Sequence, residues 1–102
     1  MPAYVILHTT AILDEELHAE FRRRVGPLLE ARGGKYLMRG DVSEIIGEAA
    51  AGHTRVAVME FETTEQAQAW ARDPQPPGEY AELRELRNRA ARYVSLIVES
   101  TD

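Results

Sequence analysis

Three side chains of this sequence could take part in proton or charge chemistry, and each sits in a run that reads as a strand. His8 closes Ala3-Tyr4-Val5-Ile6-Leu7-His8-Thr9. Histidine titrates near neutrality, so in a cavity it can act as a general base or a hydrogen-bond donor. The bland alternative is a strand-end His that is hydrogen-bonded or faces solvent. Arg39 ends Tyr36-Leu37-Met38-Arg39, and its planar guanidinium suits a carboxylate or an enolate oxygen. Glu60 lies in the apolar run Val56-Ala57-Val58-Met59-Glu60-Phe61, where a carboxylate could serve as a base but needs a partner if it is buried. Arg39 and Glu60 are expected within ion-pair reach or around one shared cavity. They are either a working pair or a structural ion pair pinning adjacent strands, with Arg55 competing for Glu60. Tyr36 either lines the cavity or packs under the helices. Alternation puts Tyr36 and Arg39 on opposite faces of a regular strand, so both face inward only if that strand bulges. Trp70 reads first as core and second as a ligand platform.

Other chemistries find no support. The three histidines, at positions 8, 18 and 53, share no metal-ligand spacing and form no H-E-x-x-H pattern. Gly33-Gly34 follows a helix rather than opening one, so it cannot place a helix N-terminus on a phosphate. The net charge of −5 argues against a nucleic-acid partner, which would require a basic face. The chain has no cysteine, which excludes disulfides, thiolate metal sites and a Cys nucleophile and fits a reducing cytoplasm. The N-terminus lacks the pattern of a signal peptide, and the apolar runs are too short to span a bilayer.

The elements that must position these residues are legible. At 102 residues the chain is one domain, residues 1–102. Residues 3–9 form a first strand. Asp14 caps a helix whose apolar stripe is Leu17, Phe21, Val25, Leu28 and Leu29, with Arg32 at its end. Gly26-Pro27 is expected to kink it, and Gly33 or Gly34 to cap it in the left-handed conformation. Residues 36–39 and 43–47 make a second strand interrupted near Gly40-Asp41, residues 47–52 a loop, and residues 54–62 a third strand. Thr63 and Gln66 form a capping box ahead of a short helix with Ala67, Trp70 and Ala71 inward. The proline-rich stretch 73–78 breaks that helix and reads as a mobile rim loop. A third helix spans about 79–92 with Tyr80, Leu83, Leu86 and Ala90 inward, and residues 93–99 form the last strand.

The order β-α-β-β-α-α-β is the ferredoxin-like split βαβ plan, an α+β fold with helices on one sheet face. Alternation places Tyr4, Ile6 and His8 with Val56, Val58 and Glu60 on the other face. That face is too apolar to be left in water, so a homodimer is expected.

The segments Ala3-Tyr4-Val5-Ile6, Gly33-Gly34-Lys35-Tyr36-Leu37-Met38-Arg39-Gly40, Val58-Met59-Glu60-Phe61 and Ala69-Trp70, with Tyr80, Leu83, Arg84, Leu86, Arg87, Arg89, Ala90 and Ala91, resemble the family called domain of unknown function 1330. The likeness runs over nearly the whole chain in order. The family looks like a branch of the dimeric α+β barrels, in which two ferredoxin-like sheets face each other. That superfamily includes isomerases, cyclases, cofactor-free monooxygenases and haem proteins, so the resemblance implies a fold and a dimer but no single chemistry. Haem would need an axial ligand on the second long helix, none of whose residues is a histidine, and no cofactor is expected. Arg84, Arg87, Arg89 and Arg92 read as a solvated face, from which Arg87 can reach a carboxylate at the rim. The chain departs from the family after Trp70, where residues 73–78 stand in place of a shorter turn. Three readings stay open. One is a protein binding an organic acid, a phenolic or a ketide-like molecule between sheet and helices. Another is a cofactor-independent isomerase, cyclase or monooxygenase with His8, Arg39 and Glu60 as its working groups. The last is a structural dimer.

Overall fold

The computed structural model describes residues 2–47, 54–72 and 79–101, with backbone alone at 79 and 80. The rim loop expected at 73–78, most of the loop expected at 47–52, His53 and the Tyr80 side chain lie outside the described residues. The elements are β1 (Ala3–Ile12), α1 (Glu15–Ala31), β2 (Lys35–Asp41), β3 (Arg55–Phe61), α2 (Thr64–Arg72), α3 (Glu79–Ala90) and β4 (Ala91–Glu99). The strands lie in the order β2-β3-β1-β4, every neighbouring pair antiparallel. This is the ferredoxin-like α+β architecture.

Local chemistry sets the element ends. The Asp14 carboxylate accepts from the Leu17 N–H at 3.1 Å, satisfying a donor that has no partner within the helix. Glu15 and Glu16 complement the positive end of the dipole. At the other end, the Gly33 N–H donates to the Glu30 carbonyl and the Gly34 N–H to the Leu29 carbonyl, both at 3.0 Å. Those two bonds are a Schellman cap, and Gly33 supplies its left-handed residue at φ 85°. Pro27 lies inside α1, which continues through it to Ala31. The capping box forms: the Gln66 N–H donates to Thr63 Oγ1 at 3.1 Å and the Thr63 N–H to Gln66 Oε1 at 3.3 Å.

The second strand differs from its sequence reading. It is a single run from Lys35 to Asp41, and residues 43–47 are not strand. Its irregularity falls between Tyr36 and Met38, not at Gly40-Asp41. β1 extends to Ile12, and β4 takes over from α3 at Ala91.

The core lies between the helices and one sheet face. Val5, Met59 and Phe61 from the strands meet Phe21, Val25 and Leu29 of α1, Ala67 and Trp70 of α2 and Leu83 of α3. The opposite face carries Tyr4, Ile6, His8, Val56, Val58 and Glu60 by register. Beside them on β4, Val94, Leu96 and Val98 are 51, 47 and 40% exposed. No helix among the described residues is long and apolar enough to cross a membrane.

Candidate functional site

The bulge at Leu37 builds the site. Tyr36 pairs with Met59, but Met38 pairs with the next residue of β3, Val58, and Arg39 with Ala57. Leu37 is therefore surplus to the ladder. Two strand positions span three residues of sequence, and Tyr36 and Arg39 emerge on the same, helix-covered face. The Arg39 guanidinium carbon stands 4.5 Å from the centre of the Tyr36 ring, a cation–π stack. Burial pushes the Tyr36 phenol above its ordinary pKa, and the neighbouring Arg39 pulls it the other way.

Two small cavities lie under the helices. One, of about 20 Å³, is walled by Val5, Phe21, Tyr36, Met59, Trp70 and Leu83, with Arg84, Arg87 and Ser95 as its polar groups. Its size corresponds to about one water. The other, also about 20 Å³, lies beside it and shares Leu7, Phe21 and Tyr36. It adds Thr9, His18, Arg22, Arg39, Arg55, Ala57 and Tyr93. An open hollow of about 520 Å³, lined by Ala19, Arg22, Arg23, Arg39 and Arg55, reaches the surface.

The candidate residues divide between the two sheet faces. Tyr36, Arg39, Trp70 and Arg87 line the helix-side cavities. Trp70 is also core, its ring 6.4 Å from that of Phe61. Arg87 lies over the Tyr93 ring at 5.0 Å, and its backbone carbonyl accepts from the Tyr93 hydroxyl at 3.1 Å. Its buried Nε has no hydrogen-bond acceptor among the described residues. His8 and Glu60 are on the open face, opposite Val56 and Tyr4 of the β1–β3 ladder. They are four register steps apart, roughly 13 Å at strand spacing. His8, Arg39 and Glu60 thus do not converge within one chain.

The expected Arg39–Glu60 pair is corrected. Glu60 pairs with Lys35, its cross-strand neighbour, at 3.3 Å, while Arg39 stacks on Tyr36 through the sheet from it. Arg55 is held by Asp41 at 3.0 Å, so it does not compete for Glu60. The cause is parity: the bulge that turns Arg39 inward leaves Glu60 outward.

His18, Arg22, Arg55 and Ser95 were missed as lining residues. His18 is 3% exposed, and the buried stripe of α1 is His18, Phe21, Val25 and Leu29. The available signal was spacing, because His18 stands three, seven and eleven residues before those apolar positions. Burial holds its imidazole below the ordinary pKa, reinforced by Arg22 and Arg55 and opposed by Glu15 and Asp41. No group of three His, Asp or Glu among the described residues could hold a metal ion.

The chain matches the family described as Domain of unknown function (DUF1330) over residues 2–101. It belongs to that family. This DUF1330 chain resembles the crystal structure of the methylated RPA0582 protein, at 19% identity and a TM-score of 0.70 over 99% of this chain and 82% of that one. It also resembles RPA0582, described as a protein of unknown function from Rhodopseudomonas palustris, at 20% identity and a TM-score of 0.69 over 99% and 83%. At those identities the likeness shows a shared fold. No similar protein was found among the curated proteins.

Proposed function

We propose that this DUF1330 protein is a homodimer that binds a small organic molecule, an organic acid, a phenolic or a ketide-like compound, between its sheet and helices. The observation that carries the reading is Arg87, whose Nε is buried and has no acceptor among the described residues in an apolar cavity. A buried donor without a partner costs roughly 1–3 kcal/mol, and a ligand oxygen relieves that cost. Few convergent polar groups in an apolar wall are the usual make-up of a ligand pocket. The cavity is small, so a ligand must displace α2 or α3 to enter. Those helices supply Trp70, Leu83, Arg84 and Arg87.

The occupant proposed for the open sheet face is a second copy of the chain. Three β4 residues, Val94, Leu96 and Val98, join Ile6, Val56 and Val58 in one apolar surface, and a contiguous exposed apolar face is the kind of surface that a protein partner covers. A two-fold contact would bring both copies' Glu60–Lys35 pairs to the interface.

The test is thermal stability against a panel of aryl, keto and phenolic acids, with mass by light scattering. A ligand at a hundred times its Kd adds about 2.7 kcal/mol of stability. Arg87→Ala should remove that gain while leaving the dimer folded. A panel without a hit, or a ligand gain unchanged by Arg87→Ala, refutes the binding reading. A monomeric mass at micromolar concentration refutes the dimer.

A further inference from the structure

We propose that the open hollow between α1 and the β2–β3 edge binds an oxyanion carrying two negative charges, a phosphoryl group or a dicarboxylate, held by Arg22, Arg39 and Arg55. Arg23 also lines it. The site shares Arg22, Arg39 and Arg55 with the small cavity beside His18 and none of its arginines with the cavity that holds Arg87, so it does not depend on what that cavity accepts.

Charge carries the argument. The chain is acidic, with a net charge of −5, yet four guanidinium groups line one concavity. Among the described residues Asp41, on Arg55 at 3.0 Å, is the one acid within ion-pair distance of any of them. Three positive charges are left to repel one another across the hollow. A monocarboxylate compensates one of them; a dianion compensates two. Guanidinium forks match both carboxylate and phosphate geometry.

Positioning supports it. α1 delivers Arg22, the Leu37 bulge delivers Arg39, and Asp41 steadies Arg55. These are three separate elements converging on one volume, not one solvated helix face. The hollow, at about 520 Å³, is open to a small anion without rearrangement. His18 lines the adjoining cavity with the same three arginines; burial lowers its pKa most, and two of the three, Arg22 and Arg55, lower it further. An anion that offsets Arg22 and Arg55 raises the His18 pKa, so His18 reports occupancy.

The probe is sulfate, dianionic across the working pH range, with malonate as a dicarboxylate and chloride at matched ionic strength as the control. Binding is followed by calorimetry and by NMR titration of the His18 ring. Saturable sulfate or malonate binding, with an upward shift of the His18 pKa, is the expected result. Preference between the two probes tells a tetrahedral oxyanion from a dicarboxylate. Arg22→Ala and Arg39→Ala should each weaken binding about tenfold, the usual cost of one charged hydrogen bond, and Arg89→Ala, on exposed α3 surface, should not. Sulfate and malonate effects equal to those of chloride overturn the proposal. So does unchanged affinity in Arg22→Ala, whose exposed helical position makes folding failure no explanation. Loss of sulfate binding in Arg22→Ala with an organic-acid response retained separates this site from the interior one.

Discussion

Replacing Gly34 by alanine adds one methyl group where the fold has no room for it. A Cβ there would stand 2.6 Å from Leu29 Cδ1 and 2.7 Å from Cε1 and Cζ of Phe61. Both neighbours are core residues at 1% exposure, so neither can swing into solvent. Two effects oppose each other. Gly34 is outside the left-handed region, so alanine fits its backbone and gains about 0.4–1 kcal/mol from a less free unfolded chain. Overpacking costs about 1–3 kcal/mol. The clash should win, with a net loss of roughly 1–2 kcal/mol, since contacts this short require the core to shift. For a domain of this size each kcal/mol moves the melting temperature by about 4–8 °C. Urea unfolding, run at several protein concentrations because the proposed dimer couples stability to concentration, gives the number. A double-mutant cycle gives the cause: Leu29→Val should cost less in the Gly34→Ala background than in the native one. A midpoint that is unchanged or raised, or strict additivity with Leu29→Val, refutes the reasoning.

Thr63→Ala should cost about 1 kcal/mol by removing the acceptor for the Gln66 N–H; Thr63→Ser should retain most of it in the same urea assay. Burial lifts the Tyr93 phenol from 10.0 to about 12 against a smaller opposing pull from Arg87. Its folded pKa is the higher one, so its stabilisation is complete below pH 10 and lost as pH rises from 10 toward 12. Tyr93→Phe should flatten that alkaline decline. His18 has the opposite sense: its folded pKa is the lower one, so stability present above pH 6.5 falls as pH drops through the depressed value. In His18→Gln, denaturation midpoints should lose that acid slope.

What the sequence discloses is what depends on near neighbours. The Asp14 cap, the Thr63–Gln66 box and the Gly33 cap each close over a few residues, and all are present. Strand alternation sorted Val5, Leu7 and Thr9 from Tyr4, Ile6 and His8, because a pleat has a fixed period. The site was less legible because it depends on register between strands. Nothing near Leu37 says that β3 will count it as surplus, so the parity of Arg39 relative to Glu60 was open. Lys35 became the partner of Glu60 by cross-strand placement, not by nearness in sequence. His18 was overlooked because Leu17, one residue away and more apolar, also fits a helical stripe. The rotation of α1 against the sheet decides between them, and its packing on α3 and the sheet sets that rotation.

The Leu37 bulge also has a meaning for the gene. Alternation in β2 survives the loss of one codon at 37 or 38, because a strand one residue shorter pairs without the surplus and still directs Arg39 to the face of Tyr36. A deletion within β3 has no such reserve and would send every following strand residue through the sheet. Length variation among related genes should therefore be tolerated between Tyr36 and Arg39 and excluded between Val56 and Phe61, although both stretches look like plain strand.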